Sequence, residues 1–226
     1  MTSEQPEIEA PRKVRPKFSF GRLAVLFIIV ASGWGLGRVM APPEVMLLEP
    51  RDDDLVVLNG CVDNTIGVVK RVAETNPEIS WLEFPDPIGK GGALIEGLKL
   101  APLADYIGYV DADGATSPKA FHDLIKLRDQ ADCVIASRWL PGAVLHQQQT
   151  GKRQFASRVF HLIVQSLFWL NVKDTQCGAK LMRREVVEKI HPLLRIADMA
   201  FDINLLYAIK QAGFKILEVP TEWTDK

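Results

Sequence analysis

The sequence predicts an α/β domain with a mainly parallel sheet and helices on both of its faces. From Leu55 onward, short runs of β-branched residues alternate with longer stretches of helical periodicity. Polar, glycine-containing loops follow several of these runs. Such alternation is typical of parallel sheets covered by helices, in which ligands bind at the carboxyl ends of the strands.

The composition supports a globular domain and excludes several other classes. The chain has 226 residues, of which 47% are hydrophobic and 24% are charged, as in ordinary folded proteins. Its net charge of -1 argues against a nucleic-acid-binding protein. Cys61, Cys133 and Cys177 form no CxxC pair, which excludes a zinc ribbon and a disulfide scaffold.

The elements are expected in the following places. Strands are predicted at residues 55–58, 79–84, 106–110, 133–136 and 214–219. Helices are predicted between residues 65 and 76, at 93–100, after Ser117-Pro118, at 154–170 and at 202–212.

Residues 1–54 are interpreted as a polar leader, a short hydrophobic segment and a linker, and residues 55–226 as the domain. The apolar segment 23–36 carries no charge but is shorter than the roughly 18 to 20 residues of a membrane span. A signal-peptide region, a short membrane segment and a buried core element are all compatible with it. We favour a tethering segment, and we expect the domain to be incomplete at both ends.

Asp111 and Asp113 are the sharpest chemical signal because they follow a predicted strand. Two carboxylates at this spacing can hold a divalent cation together with a diphosphate. A D-x-D triplet is common, and the one within Asp52-Asp53-Asp54 precedes a strand and is interpreted as a solvated linker.

Three further features have both a functional and a structural interpretation. Gly89-Lys-Gly-Gly92 suits a phosphate at a helix start, but equally a tight strand-to-helix turn. The polar loop Asp174-Thr-Gln-Cys-Gly178 is either a site or a helix-capping turn. Helix 154–170 either packs on the core or lies at a membrane surface, with Phe160 and Trp169 near the headgroups. Positive charge concentrates at Arg138, Lys152, Arg153 and Arg158, and by itself this cluster is interpreted as a solvated basic face.

Seven motifs in series resemble the family 2 glycosyltransferases of GT-A fold, especially the dolichyl-phosphate glucosyltransferase and mannosyltransferase branch. They are Asn59-Gly-Cys-Val-Asp-Asn-Thr65, Gly89-Lys-Gly-Gly-Ala-Leu94, Asp111-Ala-Asp-Gly-Ala-Thr116, Val134-Ile-Ala-Ser-Arg138, Asp174-Thr-Gln-Cys-Gly-Ala-Lys-Leu181, Phe201-Asp-Ile-Asn-Leu-Leu206 and Glu218-Val-Pro-Thr-Glu-Trp223. The fifth and the last favour the glucosyl branch.

The resemblance implies roles for individual residues. It implies that Asp113 holds the Mg²⁺ or Mn²⁺ that binds the diphosphate of a sugar nucleotide, and that Asp111 contacts either the ribose or this metal. It also implies that Lys90 lies near the nucleotide. Asn59 and Asp63 would lie in the loop that reads the base. Ser137, Arg138 and Arg153 would cradle the acceptor phosphate, with Arg138 also catalytic, and Asp174 would be the catalytic carboxylate near the reacting centre.

The implied activity is metal-dependent, inverting transfer of a hexose, with glucose and UDP-glucose favoured, to polyprenyl or dolichyl phosphate. The implied location is the cytoplasmic face of a membrane, with the membrane surface as a partner and no nucleic acid. A catalytically silent nucleotide- or lipid-binding protein and a transferase with a hydroxyl acceptor are the alternatives.

The sequence departs from the family pattern in three places. Asn59 stands where the family often has Asp, and Asn204 stands where it usually has Glu. The usual first strand, which ends in a Pro-x-Tyr-Asn-Glu-like loop, is not recognised in residues 1–54. We therefore expect weak nucleotide-sugar binding, unless the N-terminal segment substitutes for that strand.

Overall fold

A computed structural model of the chain describes residues 23–30, 54–100, 104–146, 160 and 163–224, and for residues 23–30 it describes the backbone. The strands are β1 (Leu23–Val30), β2 (Asp54–Asn59), β3 (Ile79–Phe84), β4 (Tyr106–Asp111), β5 (Cys133–Ser137), β6 (Val144–Leu145), β7 (Ala179–Arg183), β8 (Ile216–Pro220) and β9 (Glu222–Trp223). The helices are α1 (Thr65–Thr75), α2 (Gly89–Leu100), α3 (Pro118–Lys126), α4 (Arg184–Ile190) and α5 (Phe201–Gln211). A further helical stretch covers residues 163–168.

Seven strands form one mixed sheet in the order β3-β2-β1-β4-β7-β5-β8. The strands from β3 to β4 are parallel neighbours, and β8 is parallel to β5. Strand β7 runs antiparallel to both β4 and β5 and so joins the two parallel groups. Strands β6 and β9 form a separate two-stranded sheet. The predicted mainly parallel sheet is confirmed.

The sheet buries both of its faces because alternate strand residues pack into two separate clusters. On one face, Tyr109 and Ile135 pack with residues of α2, α4 and α5. On the other, Val110 and Val134 pack with Phe121 of α3. This alternation is the period-2 geometry of a strand with both faces covered.

The ends of the helices follow local chemistry that the sequence shows. The Ser117 hydroxyl accepts the N–H of Ala120 at the start of α3, and Pro118 takes the first helical position. Gly213 follows the end of α5 with a φ of 84°, which favours glycine.

The five predicted strands from residue 55 onward correspond to β2, β3, β4, β5 and β8. Strand β7 and helix α4 are not predicted from the sequence, in which only the polar loop at residues 174–178 is recognised in this region. Lys180 lies in a strand whose neighbours Ala179 and Leu181 are buried. Its charge hid the strand pattern.

The apolar segment at residues 23–30 is a strand of the sheet, which corrects the prediction of a tether outside the domain. Strand β1 pairs in parallel with β2 on one side, where Ile28 lies opposite Val57. It pairs in parallel with β4 on the other side, where Ile28 lies opposite Asp111. The strand that seemed to be missing is therefore present, and the sheet begins before Leu55. Residues 31–53, which would contain the loop that follows this strand in the family pattern, lie outside the described residues.

The helical stretch at residues 163–168 exposes apolar side chains instead of burying them all. Val164 packs into the core, whereas Phe160, Ile163 and Leu167 are exposed and Trp169 is 80% exposed. Core packing therefore does not account for its apolar face. None of the described helices combines the length and apolar composition that crossing a membrane requires.

We predict that Ile28→Pro strongly destabilises the chain, whereas Ile28→Val does so only slightly. Proline removes a backbone N–H from a strand that is paired on both sides. Leaving a buried carbonyl without its donor costs about 1–3 kcal/mol. Urea unfolding of the full chain measures the difference. Equal midpoints for the two variants would contradict the placement of β1 inside the sheet.

Candidate active site

Polar residues of several strands meet at the carboxyl edge of the sheet. Asn59, Asp111 and Ser137 are the last residues of β2, β4 and β5. The loop that precedes antiparallel β7 arrives at the same edge, where the Asp111 N–H donates to the Gly178 carbonyl at 2.8 Å. The edge thus brings together the Asp111 turn and the 174–178 loop, as the parallel arrangement predicts.

Asp111 forms a close ion pair with Lys90 of α2. The Lys90 Nζ lies 2.8 Å from Asp111 Oδ2 and 3.5 Å from Asp202 Oδ2. Burial raises the pKa of Asp111 above its ordinary value, and Lys90 opposes this shift only in part. Burial alone would lower the pKa of Lys90, but Asp202 and Asp111 raise it, so Lys90 is a cation at neutral pH.

A second ion pair lies directly behind the first and is buried. Lys180 Nζ lies 2.6 Å from Asp202 Oδ1, and the two side chains are 0% and 2% exposed. The Tyr109 hydroxyl donates to the same oxygen at 2.6 Å. Burial alone would raise the pKa of Asp202, but Lys180 and Lys90 lower it below its ordinary value. Asp202 is therefore a carboxylate held by two cations.

Asp113 is exposed in the turn after β4. Its Oδ1 accepts the N–H of Ala115 at 2.8 Å, which shapes the turn. Neither Asp111 Oδ1 nor Asp113 Oδ2 has a hydrogen-bond donor among the described residues. Each carboxylate therefore keeps one oxygen for a ligand.

These two carboxylates fit a hard divalent cation by the chemistry of their donors. Mg²⁺ is commonly held by one or two carboxylates together with substrate phosphates. Within the described ranges, no group of three or more His, Cys, Asp or Glu side chains could hold a metal. A cation at Asp111 and Asp113 would need further ligands, such as diphosphate oxygens and water.

Arg138 and Asp174 form a bidentate pair at the same edge. Arg138 Nε and Nη2 lie 2.7 Å and 2.9 Å from the two oxygens of Asp174, and the Arg138 backbone N–H donates to Oδ2. Asp174 is buried and both of its oxygens are engaged. In this arrangement Asp174 orients Arg138 and presents no exposed oxygen to a sugar, contrary to the role predicted for it.

The turn that carries Asp174 is itself held from β8. The carboxylate of Glu218 accepts the backbone N–H groups of Lys173 and Asp174 at 2.8 Å and 2.9 Å. The Arg138 guanidinium lies over the Trp223 ring, 5.1 Å from its centroid. A bridge between Trp223 and Thr116 brings this stack beside the turn that contains Asp113. The last motif of the sequence therefore joins the D-x-D turn to Arg138.

Asn59 does not face a base in this structure. It is fully buried, its Oδ1 accepts the Ile88 N–H at 2.8 Å, and its Nδ2 donates to the Gly89 carbonyl. It therefore fixes the start of α2, and its amide oxygen is engaged by the backbone. Asp63 is exposed, and hydrogen bonds from the side chain and the backbone N–H of Thr65 lower the pKa of its carboxyl group.

The Gly-Lys-Gly-Gly segment is the first turn of α2 and packs against a loop. The Gly92 N–H donates to the Ala197 carbonyl, and a Cβ at Gly89 or Gly91 would collide with backbone carbonyls of residues 196 and 197. The glycines are therefore needed for a close backbone approach, as expected if this segment is a tight strand-to-helix turn. Lys90 is the member of this segment that reaches the site.

The family resemblance also singled out Ser137, Arg153 and Asn204. Ser137 is fully buried, and its hydroxyl has no partner among the described residues, so it does not face solvent as a phosphate ligand would. Arg153, with Lys152 and Arg158, lies outside the described residues. Asn204 accepts the N–H groups of Arg195 and Ile196 and so shapes the loop before α5.

Three further residues at the site were not predicted from the sequence, namely Asp202, Lys180 and Tyr109. Two of them carried a usable signal, because a lysine within a strand and an aspartate at the start of an apolar helix are both costly to bury alone. Their pairing was not visible, since Lys180 and Asp202 come from different elements.

Solved structures share this architecture. Glucosyl-3-phosphoglycerate synthase from Mycobacterium tuberculosis, in complex with Mn²⁺, UDP and glucosyl-3-phosphoglycerate, superposes with a TM-score of 0.60 at 16% identity, over 90% of this chain and 71% of that chain. A mannosyltransferase from Pyrobaculum calidifontis, in complex with GDP-Man and Mn²⁺, gives a TM-score of 0.56 at 16% identity, over 91% and 56%. The fold is the GT-A glycosyltransferase fold.

The sequence comparisons assign the family within this class. Residues 45–191 match the family described as Glycosyl transferase family 2, and the chain belongs to that family. It is 34% identical to a dolichyl-phosphate beta-glucosyltransferase of Dictyostelium discoideum, over 76% of this chain and 54% of that protein. It is 31% identical to the human protein of that name, over 76% and 55%. The chain thus spans about half the length of these curated relatives.

We predict that Gly178→Ala displaces Asp111, because the added Cβ would overlap the Asp111 carboxylate. Titration calorimetry with UDP and Mn²⁺ should show at least about tenfold weaker metal-dependent binding. Gly67→Ala is the matched control, since its Cβ meets only the end of the Asn64 side chain, which can rotate away. Unchanged binding by the Gly178 variant would refute the close approach.

We predict that Arg138→Met lowers the free energy of unfolding by about 3 kcal/mol, because it leaves the buried Asp174 carboxylate without its cation. The double variant Arg138→Met/Asp174→Asn should recover part of this loss, since the amide carries no charge. Chemical denaturation compares the three proteins. A double variant as unstable as the single one would show that packing on Trp223 dominates the effect.

Proposed function

We propose that this chain is a metal-dependent, inverting glycosyltransferase that moves glucose from UDP-glucose to dolichyl or polyprenyl phosphate. The observation that carries the proposal is the meeting of the Asp111–Asp113 turn with the Arg138–Trp223 stack at one edge of the sheet. The names of the curated relatives support the glucosyl donor and the lipid phosphate acceptor.

The donor side would rest on Asp111 and Asp113. They would hold Mg²⁺ or Mn²⁺, which would stabilise the charge on the leaving diphosphate. Structural neighbours that contain Mn²⁺ with UDP or GDP-Man support this assignment. Lys90, 2.8 Å from Asp111, would orient its carboxylate.

The acceptor side would rest on Arg138. Its Nε and Nη2 are engaged by Asp174, so the guanidinium is fixed in one orientation. Its remaining N–H groups could donate to a phosphate, the anion that Arg binds with defined geometry. Arg153 is proposed as a second phosphate ligand on the resemblance alone.

The state of the buried carboxylates favours a phosphate acceptor over a hydroxyl acceptor. A hydroxyl would need a general base with a pKa near the working pH. Asp174 and Asp202 are buried and held by cations, and the pKa of Asp202 is lowered. A phosphate carries its own negative charge and needs no such base. The alternative of a catalytically silent protein was based on the absence of the first strand of the family, whereas β1 lies in the sheet beside β2.

The exposed apolar side chains after residue 159 support work at a membrane surface. Phe160, Ile163, Leu167 and Trp169 are all exposed. Exposed aromatic and aliphatic side chains suit the boundary between headgroups and acyl chains. We propose that this surface lies on the cytoplasmic leaflet, because nucleotide sugars are cytoplasmic.

The test uses the purified chain, radiolabelled UDP-glucose, Mn²⁺ and dolichyl phosphate in detergent, with lipid-linked glucose as the product measured. We expect metal-dependent product formation, lost with EDTA and reduced at least about 100-fold in Asp113→Asn, which removes one of two carboxylate ligands. Lys119→Met on the exposed surface of α3 is the control. Product from GDP-mannose but not UDP-glucose would overturn the choice of sugar, and product unaffected by EDTA would overturn the metal.

A further inference from the structure

We propose that the buried Lys180–Asp202 pair is a positioning device for Asp111 that acts through Lys90 and through the 174–178 loop. The inference rests on the proposed metal site at Asp111 and Asp113. It adds residues that do not touch the metal or the substrate, and it states what they do for that site.

Four charged side chains form one continuous chain from the core to the edge of the sheet. Lys180 lies 2.6 Å from Asp202, Asp202 lies 3.5 Å from Lys90, and Lys90 lies 2.8 Å from Asp111. Their charges alternate in sign and sum to zero. Lys90 is shared between two carboxylates, so its position, and with it that of Asp111 Oδ2, depends on Asp202.

Lys180 also acts on Asp111 by a second route. Its Nζ donates to the Cys177 carbonyl at 2.7 Å, which holds the loop before β7. The next residue, Gly178, accepts the Asp111 N–H and leaves room for the Asp111 carboxylate. The Lys180 ammonium group therefore acts on both partners of Asp111. It acts on Lys90 through Asp202, and on Gly178 through the Cys177 carbonyl.

Stability alone is a poor reason for this arrangement. Lys180 and Asp202 are almost completely buried, and replacing a buried ion pair by apolar residues is often neutral or stabilising. Lys180 extends across the strand pair toward Tyr109, with Nζ 5.3 Å from the ring centroid, and Tyr109 donates to Asp202. Tyr109 of β4 and Lys180 of β7 therefore both donate to the same carboxylate oxygen of Asp202 in α5, behind the proposed metal site.

Two single variants separate positioning from simple charge effects. Lys180→Met removes a positive charge and Asp202→Asn removes a negative one. If the pair acted only through its electric field, the first variant would bind a divalent cation more tightly and the second more weakly. Positioning predicts that both weaken binding by about 10- to 100-fold, the range found for residues that orient metal ligands.

The experiment measures the affinity for UDP by calorimetry, with Mn²⁺ and with EDTA, on the full chain of each variant. The ratio of the two affinities isolates the metal-dependent part, and far-UV circular dichroism reports folding. Lys126→Met is the matched control, since it makes the same change at an exposed pair on the other face of the sheet. The Mn²⁺ concentration for half-maximal transfer should rise in both test variants. The KM for lipid phosphate should stay unchanged in Asp202→Asn, because Asp202 makes no hydrogen bond to the 174–178 loop that orients Arg138.

If either variant fails to fold, Tyr109→Phe carries the test, because it removes only the hydroxyl that donates to Asp202. Positioning predicts about threefold weaker metal-dependent binding, the loss expected for one hydrogen bond. Effects of opposite sign in the two charge variants, or no effect in any variant, would overturn the inference alone. Absence of any Mn²⁺ effect on UDP binding by the unmodified chain would instead overturn the proposed metal site.

Discussion

The antiparallel ladder between β4 and β7 joins the two parallel groups of strands, and the site depends on where that ladder ends. At its last step the Asp111 N–H donates to the Gly178 carbonyl. Because β7 runs against its neighbours, the loop before it reaches the edge at which the parallel strands finish. The D-x-D turn and the Asp174 loop, which are far apart in the chain, therefore face one another.

Two buried ion pairs then give this edge a fixed charge distribution. In one, the planar fork of Arg138 matches the carboxylate of Asp174, and in the other the compact ammonium of Lys180 meets Asp202. Both carboxylates are thereby engaged by a cation. With Asp174 and Asp202 engaged in this way, the cations of this edge suit the orientation of a charged substrate such as the phosphate acceptor that we propose.

The N-terminal segment shows how far length and charge alone can mislead. Residues 23–30 are apolar, uncharged and preceded by basic residues, and each of these features suits a membrane tether. A strand buried on both faces has the same composition. Only the pairing of β1 with β2 and with β4 distinguishes the two interpretations, because backbone hydrogen bonds between distant segments leave no local pattern.

The sequence by itself determined the alternation of strands and helices from β2 to β5 and the placement of Asp111 and Asp113 at a strand end, because these follow from local periodicity and turn chemistry. The resemblance to a family also implied that Lys90, Arg138 and Asp174 belong to one site. Tertiary structure decided that Asp174 is the partner of Arg138 and that Asp202 belongs to the site. These pairings depend on which elements become neighbours across the sheet. The role of a buried charged side chain follows from the opposite charge beside it, and only folding brings the two together.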